Sequence, residues 1–458
     1  MTTESALILL LVLALFLGML AIRLHVGLSL MLAGLIGVFL MRSTNAAVGT
    51  AANQPYSTAA NYSLTIIPLF IVMGVLAVNA GLAKAGFDFA SRVLRRVPGG
   101  SALASLAGSG LFAAVTGSSV ATVATMARVS TDAIVKAGYG LRLAAGVVCA
   151  GGTLGVLIPP SIVLVLYGVV AEESIGQLLL AGIGPGLLTI LAYGATAMII
   201  VLLQRRRASA RVVEVNEGTT SGQIGGGTTT AVRTTTPEKL DITGVLFLGV
   251  IFGVSIGTIY LGVATPTEAA SFGAMTALIV MLIRVRPPEL IARLRDTITE
   301  AIGLTAMTFL LMVGAGVFTY FLALSGASSA LVDLVVGTEL QPYIVLVLCL
   351  LLLLPLGMFL DGISMVLIAA PLLHPILTGY GFDGIWLGIL IVKVAEMALI
   401  TPPVGMNAFV YSGAVPEAGI GKVFRGIWPF IVADIAVVAL LIAAPSIVTF
   451  LPGLSSAA

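Results

Sequence analysis

Long apolar runs alternate with short polar connections along the whole chain, and most runs approach or exceed the roughly 20 residues a helix needs to cross a bilayer. Runs over residues 5–22, 25–42, 64–82 and 178–203 in the first half have counterparts over 240–262, 266–284, 299–323 and 426–450 in the second. Between the third and fourth member of each set lie two segments of another kind. One is a stretch expected to fold as a re-entrant helical hairpin, 101–135 and again 341–378. The other is an apolar segment interrupted by a Pro-Pro pair, 143–170 and again 385–414. Proline removes a backbone donor and breaks a helix, so each of these segments is expected to be a broken helix.

The two interrupted segments read as one unit written twice. Gly152, Thr153, Leu154, Gly155, Val156, Leu157, Ile158, Pro159, Pro160 and Ser161 run on through Tyr167 and Gly168 to Pro185. Ala395, Glu396, Met397, Ala398, Leu399, Ile400, Thr401, Pro402, Pro403 and Val404 run on through Tyr411 and Gly413 to Pro429. In a bilayer, backbone groups freed by such breaks are tolerated only where they are buried in protein or line a watery cavity. Matched interrupted segments in two halves point to the central binding site of a transporter.

Composition sharpens the class. Of the 458 residues, 59% are hydrophobic and 9% charged, and 53 are glycine; mean hydropathy is +1.15. The expected fold is an all-α polytopic membrane protein built from two inverted repeats, each with a hairpin and a broken helix. Residues 1–203 form the first repeat, 204–239 a flexible cytoplasmic linker and 240–458 the second repeat. The linker carries Arg205, Arg206 and Arg207, then glycine and threonine triplets that lack the sequence of a phosphate-binding loop. Basic residues such as Arg23, Arg92, Arg142, Arg284, Arg293, Lys422 and Arg425 fall in loops that one topology puts on a single side. In that topology the hairpins re-enter, the basic side is cytoplasmic and both chain ends are periplasmic. A net charge of +2 speaks against a nucleic-acid partner. Cys149 and Cys349 read as unpaired packing residues. Segments 83–97 and 326–337 have helical amphipathic spacing and precede the hairpins, either as connectors to a moving unit or as plain loop helices. Thr265, Pro266 and Glu268 read as a helix start.

The first hairpin is expected to turn at Thr116, Gly117, Ser118, Ser119, Val120, Ala121 and Thr122. A helix broken there offers carbonyl and hydroxyl oxygens suited to a hard cation, with Gly151, Gly152 and Thr153 as the facing wall. Alternatively, these small polar residues serve helix packing and bond to their own backbone. The second hairpin turns between Gly357 and Ser364, and the second broken helix offers Glu396, Thr401, Gly405 and Asn407. An ionisable group at bilayer depth is by default a functional candidate, which singles out Asp361 and Glu396. Asp361 either ligates a cation or holds the hairpin tip by accepting backbone N–H bonds. Glu396 either takes part in ion coupling or pairs with Lys393, three residues before it. His25 and His374 are the only histidines, and no clustered metal-ligand set exists.

With these residues laid out, the chain resembles the large membrane subunit of tripartite ATP-independent periplasmic (TRAP) transporters. The resemblance rests on Ile67, Pro68, Leu69 and Phe70, the Gly117-Ser118-Ser119 turn, residues 152–161 and 265–270, Leu360-Asp361, and Thr401-Pro402-Pro403-Val404-Gly405; it covers nearly the whole chain. It implies an elevator-type secondary transporter of the bacterial inner membrane, driven by sodium. It also implies a small membrane subunit, expected as a separate chain, and a periplasmic binding protein that delivers an organic acid. Sodium at the hairpin tips and facing broken helices is implied near Ser118, Ser119, Gly152, Asp361 and residues 401–407. Together with the residues read above, the expected sodium set is Ser118, Ser119, Gly152, Thr153, Asp361, Glu396, Thr401, Gly405 and Asn407. The expected substrate set is Ser118, Ser119, Thr122, Pro159, Pro160, Ser161, Gly362, Ser364, Pro402, Pro403 and Asn407. The resemblance implies sodium as the coupling ion, and no organic cofactor is expected.

The mechanism expected is a unit of two hairpins and two broken helices sliding against a scaffold of the other spans. The alternative is a stand-alone sodium- or proton-coupled dicarboxylate or citrate-type carrier. An intramembrane serine hydrolase is disfavoured, because the topology sets both histidines away from Ser118 and Ser119 and a serine nucleophile needs a base.

Overall fold

The computed structural model describes residues 3–216, 241–327, 330, 340–358 and 360–455, and among these the chain is all α-helical. Eight of the described helices are long and apolar enough to cross a membrane. The first half begins with α1 (Thr3–Ala21) and α2 (Val26–Met41), passes through α3 (Thr44–Ala59) to α4 (Ile66–Asn79), and turns into α5 (Leu82–Val93). A hairpin follows, α6 (Gly100–Thr116) and α7 (Ser119–Lys136), then the broken pair α8 (Leu141–Thr153) and α9 (Ile162–Val170), then α10 (Ile175–Asn216). The second half runs α11 (Ile242–Tyr260), α12 (Pro266–Arg284) and α13 (Pro287–Ser325). It continues with the hairpin α14 (Pro342–Gly357) and α15 (Gly362–Gly379), the broken pair α16 (Gly384–Ala398) and α17 (Met406–Ala414), then α18 (Ile420–Ala443) and α19 (Ser446–Ser455). Both hairpins and both broken helices fall within two residues of the expected bounds.

Four segments differ from the hydropathy reading. Helix α3 is too polar to register as a span; the Ser43 hydroxyl accepts from the Ala46 N–H at 3.2 Å to start it, and it packs against α13. Helix α13 begins at Pro287, well before residue 299, because Pro287 and an Arg293–Glu289 pair at 2.9 Å favour a helical start in a stretch of low hydropathy. Helix α10 continues through the first thirteen residues of the expected linker. Residues 217–240, with most of segment 326–337, lie outside the described residues. The expected span 426–450 is two helices separated at Ala444 and Pro445.

The two halves interlock. α2 packs along α13 and α4 along α12; α8 packs along α18 and α10 along α16. At the first crossing a Cβ on Gly27 would lie 2.7 Å from the Leu310 carbonyl oxygen, and one on Gly314 would collide with the Gly27 carbonyl. Gly27→Val is therefore expected to lower stability by about 1–3 kcal/mol. Gly18→Val, where nothing lies within 4 Å, is expected to leave it unchanged; thermal unfolding of the two variants checks the pair.

At the α4–α5 joint the last carbonyls of α4 are claimed by the second half. Arg293 Nη1 donates to the Asn79 carbonyl at 2.8 Å, and Arg284 Nε donates to the Ala80 carbonyl at 3.2 Å. Arg284 also forms a two-point pair with Asp241; this holds the Asp241 carboxyl below the usual carboxylate range, so the pair persists at neutral pH and is lost only on acidification. Beyond the joint, α5 buries Leu82, Ala83, Phe87 and Ala90, whereas Val93, at the same helical spacing and expected on the apolar face, is exposed. The Thr265–Glu268 capping box starts α12 as expected, with the Thr265 N–H donating to Glu268 Oε2 at 2.8 Å. His25 caps α2 through Nδ1, and both cysteines are free.

Candidate substrate and ion site

Each hairpin tip is made by a residue that ends one helix and another that starts the next. Gly117, at φ 65°, closes α6 in the left-handed region. The Ser118 hydroxyl then caps α7 by accepting from the Ala121 N–H at 3.3 Å. At the second tip Asp361 is the N-cap of α15, yet among the described residues its carboxylate accepts no backbone N–H and instead takes the Ser364 hydroxyl.

The two breaks are similar in construction. Pro159-Pro160 and Pro402-Pro403 are both cis. After the first, the Ser161 hydroxyl caps α9 by accepting from the Leu164 N–H at 3.2 Å. After the second, Gly405 takes φ 57°, and the Asn407 N–H reaches back to the Leu399 carbonyl at 3.0 Å.

These parts converge on Glu396, which is 2% exposed. Its Oε2 accepts the hydroxyl of Ser119, the first residue of α7. Its Oε1 lies against Gly362, the first residue of α15, where an added Cβ would come within 2.6 Å. One carboxylate thus sits between both tips, at two helix N-termini that favour negative charge. Gly152 closes the other wall: a Cβ there would lie 3.0 Å from the Ser119 carbonyl oxygen and 3.7 Å from Asn407 Nδ2. The Asn407 amide donates to the Cys149 carbonyl at 3.4 Å, and the Cys149 thiol donates to the Asn407 carbonyl at 3.6 Å. Asn407 Oδ1 is fully buried with no hydrogen-bond partner among the described residues. A buried acceptor left empty is unfavourable unless something fills it, and amide and carboxylate side-chain oxygens are the ligand types a hard cation takes.

The structure therefore brings together Ser119, Gly152, Gly362, Glu396 and Asn407. Other expected site residues turn elsewhere. The Thr153 hydroxyl donates to the Ala150 carbonyl at 2.8 Å and meets Tyr193 Oη at 3.2 Å. Thr401 bonds back to the Met397 carbonyl at 2.7 Å, and Thr122 to the Ser118 carbonyl at 2.8 Å. Pro159, Pro160 and Ser161 are buried, whereas Pro403 at the second break is exposed and Pro402 half-buried.

Lys393 does not pair with Glu396. Its ammonium bonds Asp434 on α18, with both side chains almost wholly buried. Tyr193 donates to the second Asp434 oxygen at 2.6 Å, and the ammonium lies 5.3 Å from the Tyr193 ring centroid. Asp434 and Tyr193 were not among the expected site residues. The available signal was Asp434, an acid alone in an apolar run, while Lys393 has the nearer Glu396 in its own segment.

Comparison with known families decides the class. The model of the DctM component of the tripartite ATP-independent periplasmic transporter matches residues 13–447. The chain belongs to this family. Among relatives of this DctM-family chain, the C4-dicarboxylate TRAP transporter large permease protein DctM of Pseudomonas aeruginosa is 34% identical over 94% of this chain and 93% of its own. The isethionate TRAP transporter permease protein DctMQ of Oleidesulfovibrio alaskensis is 32% identical over 88% of this chain and 60% of its own. The fold is shared with the crystal structure of the Alcanivorax borkumensis YdaH transporter, at a TM-score of 0.60 and 13% identity, over 88% of this chain and 89% of that one. The chain is a multi-pass membrane permease of the TRAP class.

Proposed function

We propose that this permease couples inward sodium flow to uptake of a small organic acid by an elevator motion. The observation that carries the reading is the buried Glu396 carboxylate between both hairpin tips, taken with the buried, unpartnered oxygen of Asn407, whose amide nitrogen lies across Gly152 from Ser119. Sodium binds among Asn407 Oδ1, the Glu396 carboxylate and the Ser119 hydroxyl. Gly152 allows the close approach, and Asp361 holds the second tip in shape. An ion placed there neutralises Glu396 and leaves the α7 and α15 N-termini to attract the acid group of the substrate. The substrate class follows from relatives named for a C4-dicarboxylate and for isethionate.

The moving unit in this reading is the two hairpins and two broken helices, with α1 to α4 and α11 to α13 as scaffold. The matched packing of α2 on α13 with α4 on α12 is what a pseudo-two-fold between inverted repeats 1–203 and 240–458 produces. The positive-inside rule puts both chain ends in the periplasm and the basic loops in the bacterial cytoplasm. The permease works with a small membrane subunit and a periplasmic binding protein, the three parts of a tripartite system.

Thermal stability of the purified permease in sodium, potassium and choline chloride at matched ionic strength tests the ion site. A ligand bound only by the folded state raises stability. The expected result is a rise specific to sodium that disappears in Asn407→Ala and in Ser119→Ala. Identical melting in all three salts would overturn preformed sodium sites.

A further inference from the structure

The exposed face of α7 is built unlike the lipid-facing sides of the spans. Ala121, Ala124, Thr125, Arg128, Val129 and Asp132 recur at three- and four-residue spacing and are all exposed, while Thr122, Val123, Met126 and Ala127 on the opposite side are buried. By contrast, α12 exposes Phe272, Met275, Ile279 and Leu282. Arg128 stands nine residues past Ser119, about 14 Å along the helix from the hairpin tip. An arginine facing hydrocarbon at that depth is costly, so this face borders water. Across from it, Pro403, Phe409 and Gly413 of the second broken helix are also exposed. Arg128 Nε donates to the carbonyl of Ala414, the last residue of α17, at 3.4 Å. Its two terminal nitrogens have no partner among the described residues.

We propose that Arg128 is the anion handle of a cytoplasm-facing vestibule between α7 and α17, and that its free guanidinium edge takes the carboxylate or sulfonate group of the substrate as it leaves the hairpin tips. The direction rests on the topology proposed above, in which Lys136, Arg142, Lys422 and Arg425 mark the cytoplasmic side. Guanidinium presents paired N–H donors that match a carboxylate. A neutral exit path would leave an anion with only helix termini to guide it.

The competing role for Arg128 is to cap α17 and nothing more. Thr125→Cys, one turn from Arg128, separates the two in a Cys349→Ser background; Cys149 is wholly buried. In inside-out vesicles carrying the complex with its small subunit, a membrane-impermeant maleimide is expected to label Thr125→Cys. Succinate at millimolar concentration is expected to slow labelling at least about threefold, as occupancy of a site requires, whereas succinamide has no effect. Arg128→Gln is expected to label equally fast with and without succinate while melting as the parent does. Should that variant not accumulate, Ala124→Asp places a competing carboxylate one turn from Arg128 and is expected to abolish the protection too. Failure to label, or protection that survives Arg128→Gln or Ala124→Asp, would overturn the assignment. Uptake assays report separately on the transport reading. Uptake without Arg128-dependent protection sinks only the handle; protection without uptake sinks only the transport reading.

Discussion

Glu396→Ala is expected to reduce sodium-driven uptake in proteoliposomes roughly 100-fold, the equivalent of about 3 kcal/mol lost from charge-assisted contacts at a buried site. The carboxylate is shared: Ser119 at one tip donates to one oxygen, and Gly362 at the other tip packs against the second. Removing it takes away a side chain that touches both tips and the buried negative charge between them. Glu396→Gln keeps an acceptor for Ser119 without the charge. It is expected to fold and melt like the parent, and to lose the sodium-specific stabilisation. Uptake by Glu396→Ala at the parent rate would remove Glu396 from the mechanism.

The second large effect is on stability. Asp434→Ala leaves the Lys393 ammonium buried without its ion-pair partner, beside the face of Tyr193, and an unpaired buried charge is expected to cost about 3–5 kcal/mol. That is a large share of the stability of any domain. The double variant Lys393→Met with Asp434→Leu removes both charges together and is expected to recover to within about 1 kcal/mol of the parent. Thermal unfolding of Lys393→Met, Asp434→Leu and the double closes the cycle. A double variant as unstable as Asp434→Ala would mean the pair itself, rather than its symmetry of removal, is needed for folding.

Much of this architecture is legible in one sequence because the bilayer allows few ways to satisfy a backbone. Apolar runs near 20 residues and a Pro-Pro pair inside each of two others locate the hairpins and broken helices closely. Helix α3 and the first turns of α13 escape the same reading because polar helices lying beside a scaffold carry no hydropathy signal. At the site, Ser119, Glu396 and Asn407 stand out as polar groups in apolar surroundings. Their neighbours Thr153 and Thr401 look equivalent in sequence, yet helical geometry turns each hydroxyl onto its own backbone. Lys393 shows the limit of local reasoning. Spacing along α16 offers Glu396 as its partner, but the tertiary fold supplies Asp434 from 41 residues away.

The guanidinium groups that finish α4 come from Arg284 and Arg293, 204 and 214 residues downstream of their carbonyl partners. The packing faces of α2, α4 and α8 likewise wait for α13, α12 and α18. Proteins are synthesised from the N-terminus, and domains ordinarily fold as they emerge. Here a ribosome that has reached the connection after α10 has delivered spans whose glycine-lined seams face nothing. The first half must be inserted early and held in the membrane unfinished, and the second half completes both. A nascent chain cut short between the halves is thus a target for membrane quality control, and each half depends on the other for its packing faces.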